Sequence, residues 1–310
     1  MFDIFIITFA AELPNLKLQA RSINKYLHNF PVGNIYIVDN DWLKDIKPQI
    51  ENLRHEFGQF ADKVHVIKYK EMYDGPVSEG YIRQQILKLY AHRVCQSTNI
   101  MILDSKNFFI DDVCHSDFEM NGKLRAVYDK TSDYWKSSRD YAWMFFGLQP
   151  EKEIKIRTPF LIRWQTLVDL ENDLKLRYER EPADFFGDRG TSSTNEFNLM
   201  QAYILKRYGD FNEYYFFTSS HPQWGRFETG MWWSDIVNWQ TDTRTGEPRS
   251  LEMILTYPFH EGDRIVCTGI HRDVYKMMYH HQIVQLKQFW QDRGLLSQDE
   301  SDELVSAMIS

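Results

Sequence analysis

Phe2 to Phe9 is an almost unbroken apolar run, the pattern of a strand buried on both faces. Leu13 to Leu27 follows, with Leu16, Ala20, Ile23 and Leu27 on one helical face. Gly33-Asn34 turns the chain into a second run, Ile35 to Val38. A helix from about Leu43 to Phe57 and a strand from Val64 to Tyr69 come next. Glu79 to Cys95 carries apolar residues at 82, 86, 87, 89, 90 and 94, which is mostly helical spacing. Ile100 to Leu103 is a short apolar run, and a second one, Phe108 to Ile110, follows closely. This β-α-β-α-β alternation predicts an α/β fold with a mostly parallel central sheet and crossover helices, a Rossmann-like arrangement.

Past residue 110 the pattern is less regular. Leu124 to Tyr128 reads as a strand, and Trp135 to Leu148 as an aromatic-rich helix. Gly147 to Pro150 breaks the pattern, and the charged run EKEIKIR (151–157) follows. A soft boundary falls here. It separates a first half, 1–150, from a second half, 151–310, of one continuous fold, because no Ser/Gly/Pro linker divides them. Arg163 to Tyr178 predicts a helix, and 177–190 a charged loop, either a lid or an ordinary connection. Another helix opens near Thr191 and runs to about Tyr208. Ser193 and Glu196 fit a capping box at its start. Phe211 to Thr218 and Arg264 to Thr268 read as strands, and Asp273 to Trp290 and Gln298 to Ile309 as closing helices.

Composition narrows the class. The 310 residues are 43% hydrophobic and 26% charged, as in ordinary soluble globular chains. The aromatic share of 15%, with 9 Trp and 17 Tyr, fits a large core or a cleft that stacks rings. A net charge of −8 argues against nucleic acid as a main partner. It is also the wrong sign for a general anionic-membrane footprint. A local basic patch remains at Lys152, Lys155 and Arg157. Cys95, Cys114 and Cys267 are scattered and show no metal-ligand spacing. The first residues read as a strand rather than a leader. No apolar run is long enough to span a bilayer. The expected location is cytoplasmic.

Chemistry concentrates where the Ile100–Leu103 run stops. Asp104, Ser105, Lys106 and Asn107 place a carboxylate, a hydroxyl, an ammonium and an amide at one strand end, where open α/β sheets bind ligands. Thr8 and Asp39 end the first two strands; Asp39 suits either a nucleoside pocket or the cap of the next helix. Arg83 and Lys88 lie about 140° apart on the preceding helix. Each is either a phosphate-facing cation or a surface one. No G-x-G-x-x-G or P-loop pattern exists, which disfavours a dinucleotide dehydrogenase and a P-loop kinase.

The run QQILKL (84–89) followed by LDSKNFF (103–109) resembles the GT-A class of nucleotide-sugar glycosyltransferases. It looks closer still to a poorly characterised bacterial glycosyltransferase-like family with Asp-Ser/Thr/Ala-Lys-Asn in place of Asp-x-Asp. The segments 158–163, 193–197 and 270–272 also resemble that family. The resemblance implies a first half that binds a nucleotide-sugar donor and a second half that binds a glycan or lipid-linked glycan acceptor. Its setting would be bacterial surface polysaccharide synthesis, with peripheral membrane contact allowed. It implies that Thr8 and Asp39 line the nucleoside pocket. Asp104, Ser105, Lys106, Asn107, Arg83, Lys88, His271 and Arg272 would serve the donor, and Glu196 would be the base. Lys106 departs from the Asp-x-Asp pattern, since a charged lysine repels a metal. Either Lys106, with Arg83 or Arg272, carries the diphosphate charge in a metal-independent enzyme, or Asp104 and His271 hold Mg²⁺ or Mn²⁺ while Lys106 points away. A non-catalytic nucleotide-sugar or glycan-binding protein on the same fold is the alternative. A nucleotidyltransferase is a weaker one, because its usual phosphate loop is missing.

Overall fold

The first apolar run becomes β1 (Phe2–Thr8), in which every residue is buried. β2 (Val32–Asp39) and β3 (Val64–Lys68) add to one edge in parallel, and β4 (Asn99–Asp104) adds in parallel to the other. Strands sealed on both faces need helices on both sides, and the intervening segments supply them. These are α1 (Leu13–Tyr26), the short α2 (Lys47–Asn52) and α3 (Tyr69–Met72), and α4 (Gly80–Leu89). In this computed structural model the described residues are 1–75, 80–126, 136–149, 154, 158–186, 194–217, 266–270, 275–276 and 278–309.

Two features depart from the sequence reading. The long helix expected from about Leu43 to Phe57 is broken. α2 gives way to a 3-10 stretch, Arg54–Lys63, with Gly58 at φ 51 inside it. A left-handed residue cannot continue a helix, and glycine enters that region without steric cost. The second departure is β8 (Phe160–Arg163), which joins the sheet antiparallel to β4, so the order is β3-β2-β1-β4-β8. The helix expected from Arg163 therefore starts one residue later, as α6 (Trp164–Tyr178).

The remaining strands are short. β5 (Asn107–Phe109) pairs antiparallel with β10 (Cys267–Gly269). β6 (Glu119–Met120), β7 (Lys123–Ala126) and β9 (Tyr215–Phe217) make a three-stranded sheet. α5 (Lys136–Phe145) packs on α7 (Glu196–Tyr208), where the Thr194 hydroxyl and the Asn198 amide donate to Ser138. α8 (His280–Asp292) and α9 (Gln298–Ile309) close the described chain. Strands from both halves of the sequence thus share sheets. Among the described residues, no helix is long and apolar enough to cross a membrane.

Candidate active site

The strand order reverses between β1 and β4, with β2 and β3 on one side and β4 on the other. Crevices at such a reversal, beyond the carboxyl ends of the strands, are where open α/β sheets bind ligands. Ile7 pairs with Asp104 across this reversal, and Thr8 with Asp39 beside it. A hollow of about 570 Å³ lies elsewhere, against β3, and none of the candidate residues lines it.

The turn after β4 is tied down from three directions. The Asp104 N–H donates to Asn107 Oδ1 at 2.8 Å, and its carbonyl accepts from Gln19 Nε2 of α1 at 2.8 Å. Asn107 is buried against Gly269. A Cβ on Gly269 would stand 2.8 Å from Asn107 Nδ2 and 3.0 Å from the Lys106 carbonyl, so only glycine lets β10 approach this closely. Ser105 is also buried, with its hydroxyl 3.5 Å from Glu12 Oε2. Ser105 and Asn107, expected to serve the donor, therefore lie inside the turn and shape it.

The Asp104 carboxylate meets two ammonium groups. Oδ1 lies 2.8 Å from Lys88 Nζ and Oδ2 lies 3.1 Å from Lys106 Nζ. The Thr158 hydroxyl donates to Oδ2 at 3.3 Å. Lys88 also donates to Glu196 Oε1 at 2.9 Å. Its ammonium rests 4.9 Å from the centre of the Phe197 ring, which stacks on Phe160 of β8. The side chain of Lys88 is only 2% exposed, against 18% for Lys106. Burial pushes the Lys88 pKa down, but Asp104 and Glu196 more than reverse it and raise it above the usual lysine value. Burial likewise pushes Asp104 up, and Lys88 and Lys106 bring it well below the usual carboxylate range.

Lys88 was expected either on the surface or facing donor phosphates. The structure places it beneath the site, spent on two carboxylates. The signal lay in the sequence: in ILKLYA (86–91) one lysine stands among five residues that are all buried, and a helix apolar all round is an interior one. The capping-box reading of Ser193 and Glu196 also changes. Asn195 is the N-cap of α7, accepting from the Asn198 N–H at 3.0 Å, and Glu196 is the first helical residue. Its side chain turns to Lys88 instead of back to its own backbone; Ser193 lies outside the described residues.

Around the first two strands the geometry is more structural. Thr8 is fully buried, and its hydroxyl has no partner among the described residues. Asp39 accepts the Asp41 and Ile46 N–H groups at 2.9 and 3.2 Å, which fixes the loop into α2. Burial raises its pKa. Arg83 is different. It is 5% exposed. Its Nε donates to Asn40 Oδ1 at 2.7 Å, Nη2 donates to the Asn40 carbonyl at 3.1 Å, and the guanidinium lies 3.9 Å from the centre of the Tyr69 ring. No carboxylate among the described residues comes within ion-pair distance of it. Burial lowers its pKa, while Asp41 and Asp39 act on it from beyond contact distance. A guanidinium with no contacting carboxylate among the described residues suits an anionic ligand.

A Mg²⁺ ion at Asp104 would need carboxylate oxygens turned toward it at about 2.0–2.1 Å. Both Asp104 oxygens face ammonium groups instead, and Lys106 points at Asp104 rather than away. The described residues around Asp104 do not fit the ion. Among the described residues, no cluster of three or more His, Cys, Asp or Glu is placed to hold a metal. His271 and Arg272 lie outside the described residues.

Fold and site together define a GT-A-like α/β protein with a charged centre at the strand reversal. The chain belongs to the family of unknown function DUF6492, which it matches over residues 8–247. The fold is similar to that of an active-site mutant of LgtC, with TM-score 0.54 and 11% identity over 95% of this chain and 100% of the other. It is also similar to the galactosyltransferase LgtC in complex with donor and acceptor sugar analogues, with TM-score 0.51 and 9% identity over 99% of this chain and 96% of the other. At these identities the likeness is one of fold. No curated protein sequence matches the chain.

Proposed function

We propose that this chain is a glycosyltransferase that moves a sugar from a nucleotide-sugar donor to a hydroxyl of a glycan or lipid-linked glycan. The observation that carries the reading is the charged centre at the strand reversal, where Lys88 joins Asp104 of the first half to Glu196 of the second. In the proposed reaction the acceptor oxygen bonds to the anomeric carbon as the bond to the diphosphate oxygen breaks. Glu196 takes the acceptor proton. Lys106 and Arg83 meet the negative charge that departs on the diphosphate. Of the two lysines at Asp104 we assign the diphosphate to Lys106, the more exposed at 18% against 2% for Lys88.

One observation favours a second reading, a non-catalytic nucleotide-sugar or glycan-binding protein. Among the described residues the centre sets two cations against two carboxylates, and folds outlast their chemistry. A thermal-shift series with UDP-, GDP-, CMP- and dTDP-sugars tests what the two readings share. A rise that grows with concentration is expected for one nucleotide class; no rise with any of them would sink both. Calorimetry with the binding sugar and a panel of acceptors then separates them, since turnover is expected only of the transferase.

A further inference from the structure

We infer that Lys88 is the built-in cation of this centre: its ammonium holds, between Asp104 and Glu196, the place a divalent ion would take, and the centre binds no divalent metal. The claim rests on geometry and charge and does not require the transfer reading.

Asp104 reaches the position from the end of β4 and Glu196 from the first turn of α7, 92 residues later in the chain (196 minus 104). A single buried atom, Lys88 Nζ, lies within 2.9 Å of a carboxylate oxygen from each. Two carboxylates converging from separate elements on one point is the arrangement that recruits a hard dication. Here the point is filled by a side chain of the protein. Taking an ammonium out of water costs several kcal/mol, recovered only where anions surround it, and this one has two.

The filling is not easily undone. Lys88 sits between Leu87 and Leu89, and both neighbours are buried. The Phe197 ring lies against its ammonium, held in turn by Phe160. To admit a metal, Lys88 would have to leave for solvent through a helix with no exposed residue from Gln85 to Leu89. Lys106 closes the other approach at 3.1 Å from Asp104 Oδ2. A dication entering beside both lysines would meet like charge from each. The chain has exchanged a removable cofactor for a covalently attached charge, so chelators have nothing to remove.

The experiment combines electron paramagnetic resonance of free Mn²⁺ with thermal unfolding of the whole chain. Wild type is expected to leave the aqueous Mn²⁺ signal unchanged and to unfold at one temperature in MnCl₂ or EDTA. Lys88→Gln leaves two carboxylates facing a vacated point. It is expected to unfold lower, to take up Mn²⁺ and to regain stability with it. That gain should vanish in Lys88→Gln combined with Asp104→Asn. If Lys88→Gln does not fold, Lys88→Gln with Glu196→Gln removes one charge of each sign and is expected to fold. Failure of that pair would show that the fold needs more of Lys88 than its charge, and would overturn the inference. So would Mn²⁺ uptake by wild type that Asp104→Asn abolishes, or a folded Lys88→Gln that ignores Mn²⁺. The transfer reading can fail, with no nucleotide sugar bound, while every metal result comes out as expected.

Discussion

Lys17, Arg21, Glu56 and Glu300 form another group of two cations and two carboxylates, and it fastens α9 onto α1. Arg21 Nε meets Glu56 at 2.7 Å, its Nη1 meets Glu300 at 2.6 Å, and Lys17 meets Glu300 at 2.7 Å. The make-up equals that of the centre at the end of β4, yet the setting differs. Side chains in the α1–α9 group are 12–29% exposed; at the end of β4 Asp104 and Lys106 are 18% exposed, but Lys88 and Glu196 are 2% and 6% exposed. The Arg21 fork also divides its donors among two acids and the Leu295 carbonyl, which is how a guanidinium becomes a fastener. Charge count therefore does not identify a site. Position at a strand reversal and burial of a point charge do.

The sharpest way to break this contrast is Lys88→Gln, expected to cost about 3–5 kcal/mol by strand-end charges left unpaired, read from chemical denaturation. Arg21→Gln comes next, at about 1–2 kcal/mol, with faster amide exchange confined to α9. Equal losses in the two variants would erase the distinction. Lys106→Ala is expected to change stability by under about 1 kcal/mol yet weaken nucleotide-sugar binding at least about tenfold, roughly 1.4 kcal/mol. Unchanged affinity would remove Lys106 from the proposed chemistry.

The smallest effect is in acid. Arg21 holds the Glu300 carboxyl well below the usual range, and burial opposes it. Asp104 is depressed as well, by Lys88 and Lys106 against burial. Depressed carboxylates stabilise the fold above their unfolded pKa, near about 4, and that contribution fades as pH falls through the folded value. Acid should therefore weaken both groups. Salt at about 1 M, where screening reaches about 3 Å, should weaken the α1–α9 group more than the buried Lys88–Glu196 pair. A salt series on wild type and Arg21→Gln in acid checks this, and equal slopes would count against the contrast.

Much of the sheet was legible because its signal is local. The apolar runs of β1, β2 and β4 and the alternation with helices lie within short windows, and Asp104 closes its own strand. What was not legible depends on distant partners. Lys88 reads as a phosphate-facing or a surface cation until Glu196 is placed beside it, 108 positions away. Glu196 reads as either a capping residue or a base until Asn195 takes the cap. β8 was missed because four residues, FLIR, carry too little pattern to separate a strand from a helix start. The broken helix before β3 was missed because Gly58 requires its left-handed backbone only in the folded chain.

The Lys88–Glu196 bond also bears on the order of folding. Closing a loop of 108 positions costs chain entropy before any contact rewards it, whereas the β1–β2 crossover closes over about thirty. Contacts of such long separation belong late on the route to the native state. The first half is therefore expected to gather its strands before α7 arrives, with Lys88 last to be sealed. Substitutions at Lys88 should then mainly speed unfolding and leave refolding nearly unchanged.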